Sequence, residues 1–199
     1  DMQKHIIPAL EGKPIEMYFV ADGGQSDSTS CSCNIVTRHE NDDGTFFYRL
    51  NRYANYYHSG KRTGQTKAMS VYAIEIKEFM RWCHEQTKMR HMEFFVDPAC
   101  KSLKEELTLL GVGNRSADNN AKDIKGSSKG IEVGIERLQN IMTKDQFRLI
   151  ETDLYGHYDF IKEIGLYVRD GNGKATDSWN DALDECKYAG NYFHKRYVQ

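Results

Sequence analysis

Met17-Tyr18-Phe19-Val20-Ala21-Asp22-Gly23-Gly24 is the stretch whose reading decides the fold. An apolar run of this kind is hydrophobic enough for a buried central strand, and it ends on one carboxylate and then two glycines. The run belongs inside, so it carries Asp22 to the edge of a core and holds it there. The glycines let backbone or ligand approach closely. The pattern recurs in His91-Met92-Glu93-Phe94-Phe95-Val96-Asp97-Pro98, a second apolar strand ending on an aspartate. Neighbouring central strands would bring Asp22 and Asp97 to one sheet edge. Asp181 and Asp184, three residues apart near the C-terminus, face the same way on a helix. Each acid also has an ordinary reading: Asp-Pro commonly starts a turn, and acids are favoured at a helix N-terminus by the dipole. Taken together, two strand acids and a helix pair suggest a carboxylate cluster built to hold divalent metal.

Working outward, Ile15–Asp22 is the first strand, Thr29–His39 the second and Thr45–Tyr53 the third, with Asn41-Asp42-Asp43-Gly44 as a hairpin turn. These three form an antiparallel meander. Residues 1–14, punctuated by Pro8 and Pro14, read as a leader or linker, and residues 15–199 as the domain. Asn55–Thr66 reads as a polar, basic loop, followed by a helix over Lys67–Met89. The strand at His91–Asp97 and a helix over Ala99–Leu110, stopped by Gly111, argue for parallel pairing of the later strands. Gly113–Ser128 reads as a long polar loop, of a length that is usually functional. A helix over Gly130–Met142, a strand at Gln146–Ile150 and a helix over Asp153–Ile164 follow. Leu166–Arg169 reads as a brief extended piece, Asp170-Gly171-Asn172-Gly173 as a turn, and Ser178–Tyr197 as the last helix.

Composition limits the function. With 199 residues, 39% of them hydrophobic, the chain can bury one real core. A formal net charge of −2 means that any contact with nucleic acid depends on local positive charge and is weak in the isolated domain. Such charge is present in Arg52, Lys61, Arg62 and Lys67, interleaved with Tyr53, Tyr56, Tyr57 and His58, which suits a DNA backbone. Lys122, Lys125 and Lys129 offer a second basic stretch. Gly60-Lys61-Arg62 lacks the upstream glycine and the following Ser/Thr of a P-loop, so an ATPase reading fails. The five cysteines lack the paired spacing of a structural zinc site and read as reduced thiols. The seven histidines are dispersed and read as surface or packing residues. No apolar run approaches the ~18 residues of a membrane span, and no signal peptide opens the chain. The start at Asp1 suggests a fragment of something longer.

Mg²⁺ and Mn²⁺ favour carboxylate and water oxygens, and two such ions ~3.5–4 Å apart can drive phosphodiester hydrolysis. On these residues the chain resembles the C-terminal nuclease domain of large terminase subunits from tailed double-stranded DNA bacteriophages. That family has a ribonuclease H-like fold with an acid on the first strand, one ending the fourth and one on a late helix. Asp22 in Val20-Ala21-Asp22-Gly23-Gly24 matches the first and Asp97 in Phe94-Phe95-Val96-Asp97 the second. Asn180-Asp181-Ala182-Leu183-Asp184-Glu185-Cys186-Lys187-Tyr188-Ala189 resembles the family's Asn/Asp-His-x-x-Asp-Ala-x-Arg-Tyr-Ala helix, with Asp184 as the third acid. Asp181 stands where many relatives carry histidine. Lys125-Gly126-Ser127-Ser128 and Tyr167 also sit where relatives have similar residues.

The resemblance implies an α/β fold with a mixed central sheet: three antiparallel strands, then parallel ones, and helices on both faces. It implies catalysis by Asp22, Asp97 and Asp184, with Asp181 joining them in holding two Mg²⁺ or Mn²⁺ ions. It further implies cutting of concatemeric double-stranded DNA with little sequence preference. The implied partners are an N-terminal packaging ATPase domain, the portal protein and the small terminase subunit. The implied setting is the cytoplasm of a bacterial host, transiently at the procapsid portal, with the isolated domain monomeric and no membrane involved. The alternatives are another ribonuclease H-like enzyme, such as a Holliday-junction resolvase or a transposase, and a non-catalytic DNA-binding module.

Overall fold

The computed structural model describes residues 2–24, 28–118, 130–167 and 181–198. Its strands are β1 (Ile6–Ile7), β2 (Lys13–Gly23), β3 (Ser28–Glu40), β4 (Phe46–Ser59), β5 (Glu93–Val96), β6 (Arg115–Ser116) and β7 (Phe147–Ile150). Its helices are α1 (Gly60–Thr63), α2 (Met69–Thr87), α3 (Lys101–Leu109), α4 (Gly130–Thr143), α5 (Tyr158–Leu166) and α6 (Asp181–Tyr197). The strands form one seven-stranded sheet in the order β1-β7-β4-β3-β2-β5-β6. β2, β3 and β4 pair antiparallel, whereas β5, β6, β7 and β1 join by parallel pairings. β3 alone therefore runs against the rest, and the carboxyl ends of all the other strands open on one edge. In open α/β sheets that edge is where ligands bind.

Side-chain alternation along β2 divides the core in two. Met17, Phe19 and Ala21 pack with Tyr72, Ile76 and Phe79 of α2 and Leu103 and Leu107 of α3. Tyr18 and Val20 face the other way, against Leu138 and Ile141 of α4, Phe160 of α5 and Leu183, Ala189 and Phe193 of α6. Being buried on both faces is what makes this stretch a near-continuous apolar run. Asp22 shares the parity of Tyr18 and Val20, so it points to the α6 side. At the end of β2 the chain comes close to β3: a Cβ on Gly23 would lie 2.8 Å from Thr29 Oγ1. Helix α6 is bound to β2 along its length. The Tyr18 hydroxyl donates to the Ala189 carbonyl at 2.9 Å, and Glu16 accepts from Tyr192 at 2.6 Å and from Tyr197.

Several boundaries differ from the sequence reading. The sheet begins before residue 15, because Ile6 and Ile7 pair parallel with Leu149 and Ile150 as an edge strand. Asn55–Thr66 is not all loop: β4 continues to Ser59, matched residue by residue with β3 as far as Ser28. Its polar residues tolerate burial because they are hydrogen-bonded, as Asn55 is to Ser30 and Arg52. Helix α5 starts at Tyr158 rather than Asp153, since Tyr155 adopts a left-handed φ of 59° just before Gly156. In the 113–128 stretch, Arg115–Ser116 forms the short edge strand β6, and the rest from 119 lies outside the described residues. So do the turn expected at 170–173 and the start of the last helix before Asp181.

Candidate metal centre

The parallel pairing of β2 with β5 matches Ala21 with Val96, and the Asp97 N–H donates to the Ala21 carbonyl at 2.9 Å. Two strands that would each leave an acid at their carboxyl end are thus locked side by side. Asp22 is in the last two residues of β2, and Asp97 follows β5 directly. Helix α6 opens on the same side with Asp181 and Asp184 in its first turn. The sheet brings Asp22 and Asp97 side by side, and Asp181 and Asp184 stand in the first turn of α6, near enough for their charges to act on Asp22. Burial pushes the Asp22 carboxyl up to about 8, with repulsion from Asp97, then Asp184, then Asp181 adding to it and the Gly23 N–H opposing. One carboxyl therefore feels the other three.

The tightest part of the cluster includes a residue the sequence reading missed. Ligand atoms of Asp22, Asp97 and Cys100 all lie within 4.8 Å of one another. Asp184 and Asp181 stand outside that group. The Cys100 thiol bonds to the Gly23 carbonyl, accepts from the Gly23 N–H at 3.2 Å and lies 3.6 Å from Asp22 Oδ1. Burial, and then the nearby Asp22 charge, push this thiol up to about 12. All five cysteines are free, as read, yet Cys100 is more than packing. Its signal was the spacing Asp97-Pro98-Ala99-Cys100, one turn past the second acid.

Supporting groups orient the acids. Asp97 is buried, accepting from the Tyr188 hydroxyl at 2.6 Å and from the Ala99 N–H at 2.6 Å. Tyr188 comes from α6, one turn beyond Asp184, so it joins the acid-bearing helix to the acid-bearing strand. Asp184 is in close contact with the Lys187 ammonium.

The donor set fits a divalent cation. A part-buried and a buried carboxylate as close as those of Asp22 and Asp97 repel one another, and a dication supplies the missing positive charge. The oxygens suit Mg²⁺ or Mn²⁺, while a thiol beside them adds an affinity for softer ions. Among the described residues no histidine belongs to this cluster.

The basic residues fare differently. Arg52, expected to contact DNA, is a correction: it is fully buried, its guanidinium 2.6 Å from the equally buried Glu185 and 4.6 Å from the centre of the Phe160 ring. Side-chain alternation in β4 turns it inward, and α6 supplies its counter-ion. Lys61 is exposed on α1, at the carboxyl end of β4 and so at the sheet edge that carries the acids. Arg62 is half-buried, ion-paired with Asp159 and 2.7 Å from the Tyr57 hydroxyl. Lys67 pairs with Glu75 at 2.8 Å. Lys122, Lys125 and Lys129 lie outside the described residues.

Comparisons place the architecture. No family model and no curated protein matches the sequence. Among solved structures, the nuclease domain of the P22 large terminase matches with a TM-score of 0.63 at 16% identity, over 99% of this chain and 90% of that one. The large terminase of a thermophilic bacteriophage, solved with ADP, matches with a TM-score of 0.71 at 18% identity over 96% of this chain. The chain spans 42% of that larger protein's length. At these identities the likeness is one of fold. The fold is ribonuclease H-like α/β, with its mixed sheet and helices on both faces as expected. It is the fold of terminase nuclease domains.

Proposed function

We propose that this chain is a metal-dependent endonuclease domain of a viral DNA-packaging terminase, cutting double-stranded DNA with little sequence preference. The observation that carries the reading is the convergence of Asp22, Asp97 and the first turn of α6 at the carboxyl edge of a ribonuclease H-like sheet. Asp22, Asp97 and Asp184 are the residues that would hold Mg²⁺ or Mn²⁺, with Asp181 as a further ligand. Two bound ions would supply Lewis-acid activation of water and stabilisation of the leaving 3′ oxygen.

The chain's own residues do the rest. Asp22 and Asp97 present their oxygens from strands of fixed spacing. Tyr188 holds the Asp97 carboxylate from the helix side. Lys187 tempers the charge of Asp184. Lys61, with Lys67 and the lysines at 122, 125 and 129, is the candidate contact to the phosphate backbone. Phosphate contacts orient a duplex without reading its bases, which is why the cutting is expected to be unspecific. The proposed partners are a packaging ATPase domain, the portal and the small terminase subunit, acting on concatemeric DNA in the bacterial cytoplasm.

The test is plasmid digestion by wild type, Asp97→Asn and Asp184→Asn with Mg²⁺, Mn²⁺ or EDTA. Metal-dependent linearisation that is abolished by either substitution supports the reading. If both variants cut as well as wild type, these acids do not form the centre.

A further inference from the structure

Outside the acid cluster, a buried charge with partners on two elements is Glu163 of α5. Its side chain is completely buried. One carboxylate oxygen accepts the Ala182 N–H at 2.8 Å, and the other accepts the Tyr57 hydroxyl at 2.6 Å. Ala182 is the second residue of α6, between Asp181 and Asp184. Its N–H bonds to this side chain, as the N–H groups of a helix's first turn need an outside acceptor. Tyr57 lies on the cross-strand row that carries Asp22, since Asp22 pairs with Ser30 and Ser30 with Tyr57. A single carboxylate therefore spans from the first turn of the acid-bearing helix to the strand row of the first acid.

The hydrogen bonding around it has a direction. A carboxylate only accepts, so the Tyr57 proton goes to Glu163. The Tyr57 oxygen then receives Ser28 Oγ at 2.8 Å and Arg62 at 2.7 Å. Arg62 lies 3.9 Å from Glu163 itself and its guanidinium 4.8 Å from the centre of the Tyr57 ring. Asp159, on the same helix as Glu163, closes the far side of Arg62. A neutral Ser or Asn would serve as a simple cap. Here a further acid's charge is instead placed at the first turn of α6, where it repels Asp181. Such a cost is tolerated where position matters more than charge.

We propose that Glu163 is a positioning residue for the metal centre: it fixes the first turn of α6, and with it Asp181 and Asp184, against the Asp22 row of the sheet. Tyr57 is its anchor on the sheet and Arg62 its outer counter-ion, so Arg62 serves the site from behind rather than by gripping DNA. The inference rests on the nuclease reading but is tested by metal binding rather than by cutting.

The experiment is calorimetric Mn²⁺ titration of wild type, Glu163→Gln, Glu163→Ala and Tyr57→Phe, each well below its unfolding temperature. Glutamine can still accept the Ala182 N–H while its amide donates to Tyr57, so its affinity should stay within about threefold of wild type. Alanine loses both bonds and should bind about tenfold more weakly, as removal of groups that orient metal ligands commonly does. A folded Glu163→Ala that binds Mn²⁺ like wild type overturns the proposal, because a merely structural role lowers stability without moving the affinity. A glutamine variant as weak as alanine also overturns it, since charge and not position would then be acting. If Glu163→Ala does not fold, Tyr57→Phe decides: a loss of about threefold supports the proposal and an unchanged affinity overturns it. Wild type that binds no Mn²⁺ would instead sink the nuclease reading, and this inference with it.

Discussion

Replacing Asp22 by asparagine should make the metal-free protein more stable, and increasingly so as pH rises. In the folded chain the carboxyl titrates at about 8, against an ordinary value of 3.8, because burial and three neighbouring acids disfavour its ionised form. The folded state thus prefers Asp22 protonated. That preference contributes fully below the unfolded value, is lost progressively as pH climbs towards 8, and leaves a constant penalty above it. At 1.36 kcal/mol per pH unit the shift corresponds to a ceiling of about 6 kcal/mol. Asp22 keeps some contact with water, so a gain on the order of 3 kcal/mol for asparagine is the working figure. For a domain of this size that is roughly a 10 °C rise in Tm. The assay is thermal unfolding of wild type and Asp22→Asn in EDTA at a series of pH values from about 4.5 to about 9, which covers most of the span between the unfolded and folded titration points. The gap should open between about pH 4 and 8 and then level off. Saturating Mn²⁺ should close or reverse it, since only wild type gains binding energy from the ion. A gap that stays constant across the series, or narrows with pH, would refute the reasoning.

Other predictions follow from named contacts. Arg52→Ala or Glu185→Ala leaves a buried charge without its partner and should cost about 3–5 kcal/mol in urea unfolding, whereas a DNA-contact role for Arg52 would show as lost affinity at unchanged stability. Tyr188→Phe removes the hydroxyl that holds Asp97 and should weaken Mn²⁺ binding about tenfold with little loss of Tm. Cys100 gives the cluster a soft donor, so Cd²⁺ should produce a thiolate-to-metal absorption band and inhibit cutting, and Cys100→Ser should lose the band. Lys61→Ala should weaken DNA binding evenly across sequences and lower the slope of log affinity against log salt by about 1.

Much of this molecule could be read from residues alone because the informative stretches are simple. The run Met17–Ala21 is apolar on both faces, so it could only be a central strand, and its last residues had to emerge at an edge. The same holds for Phe94–Val96. Helix α6 announced itself through Asp181, Asp184, Tyr188 and the apolar positions between them. What stayed hidden depends on tertiary partners. Arg52 sits among basic and aromatic neighbours that imitate a DNA-binding loop, and only Glu185, far away in sequence, explains why it is buried. The extension of β4 through Asn55 and Ser59 was masked by polar residues whose hydrogen bonds come from β3. Ile6–Ile7 is too short to signal a strand until β7 is there to receive it. Cys100 looked like any buried thiol until Gly23 and Asp22 were seen beside it.

The pairing of β2 with β5 has a mechanical consequence. Neighbouring strands lie about 4.8 Å apart whatever side chains they carry, and the Asp97 N–H is itself bonded to Ala21. Two of the acids are therefore mounted on a rigid gauge that cannot open without tearing the sheet. The other two ride on a helix that, among the described residues, is bonded to β2 through the side chains of Glu16, Tyr18, Tyr192 and Tyr197. Any change in the spacing between the two pairs of acids therefore falls to the helix.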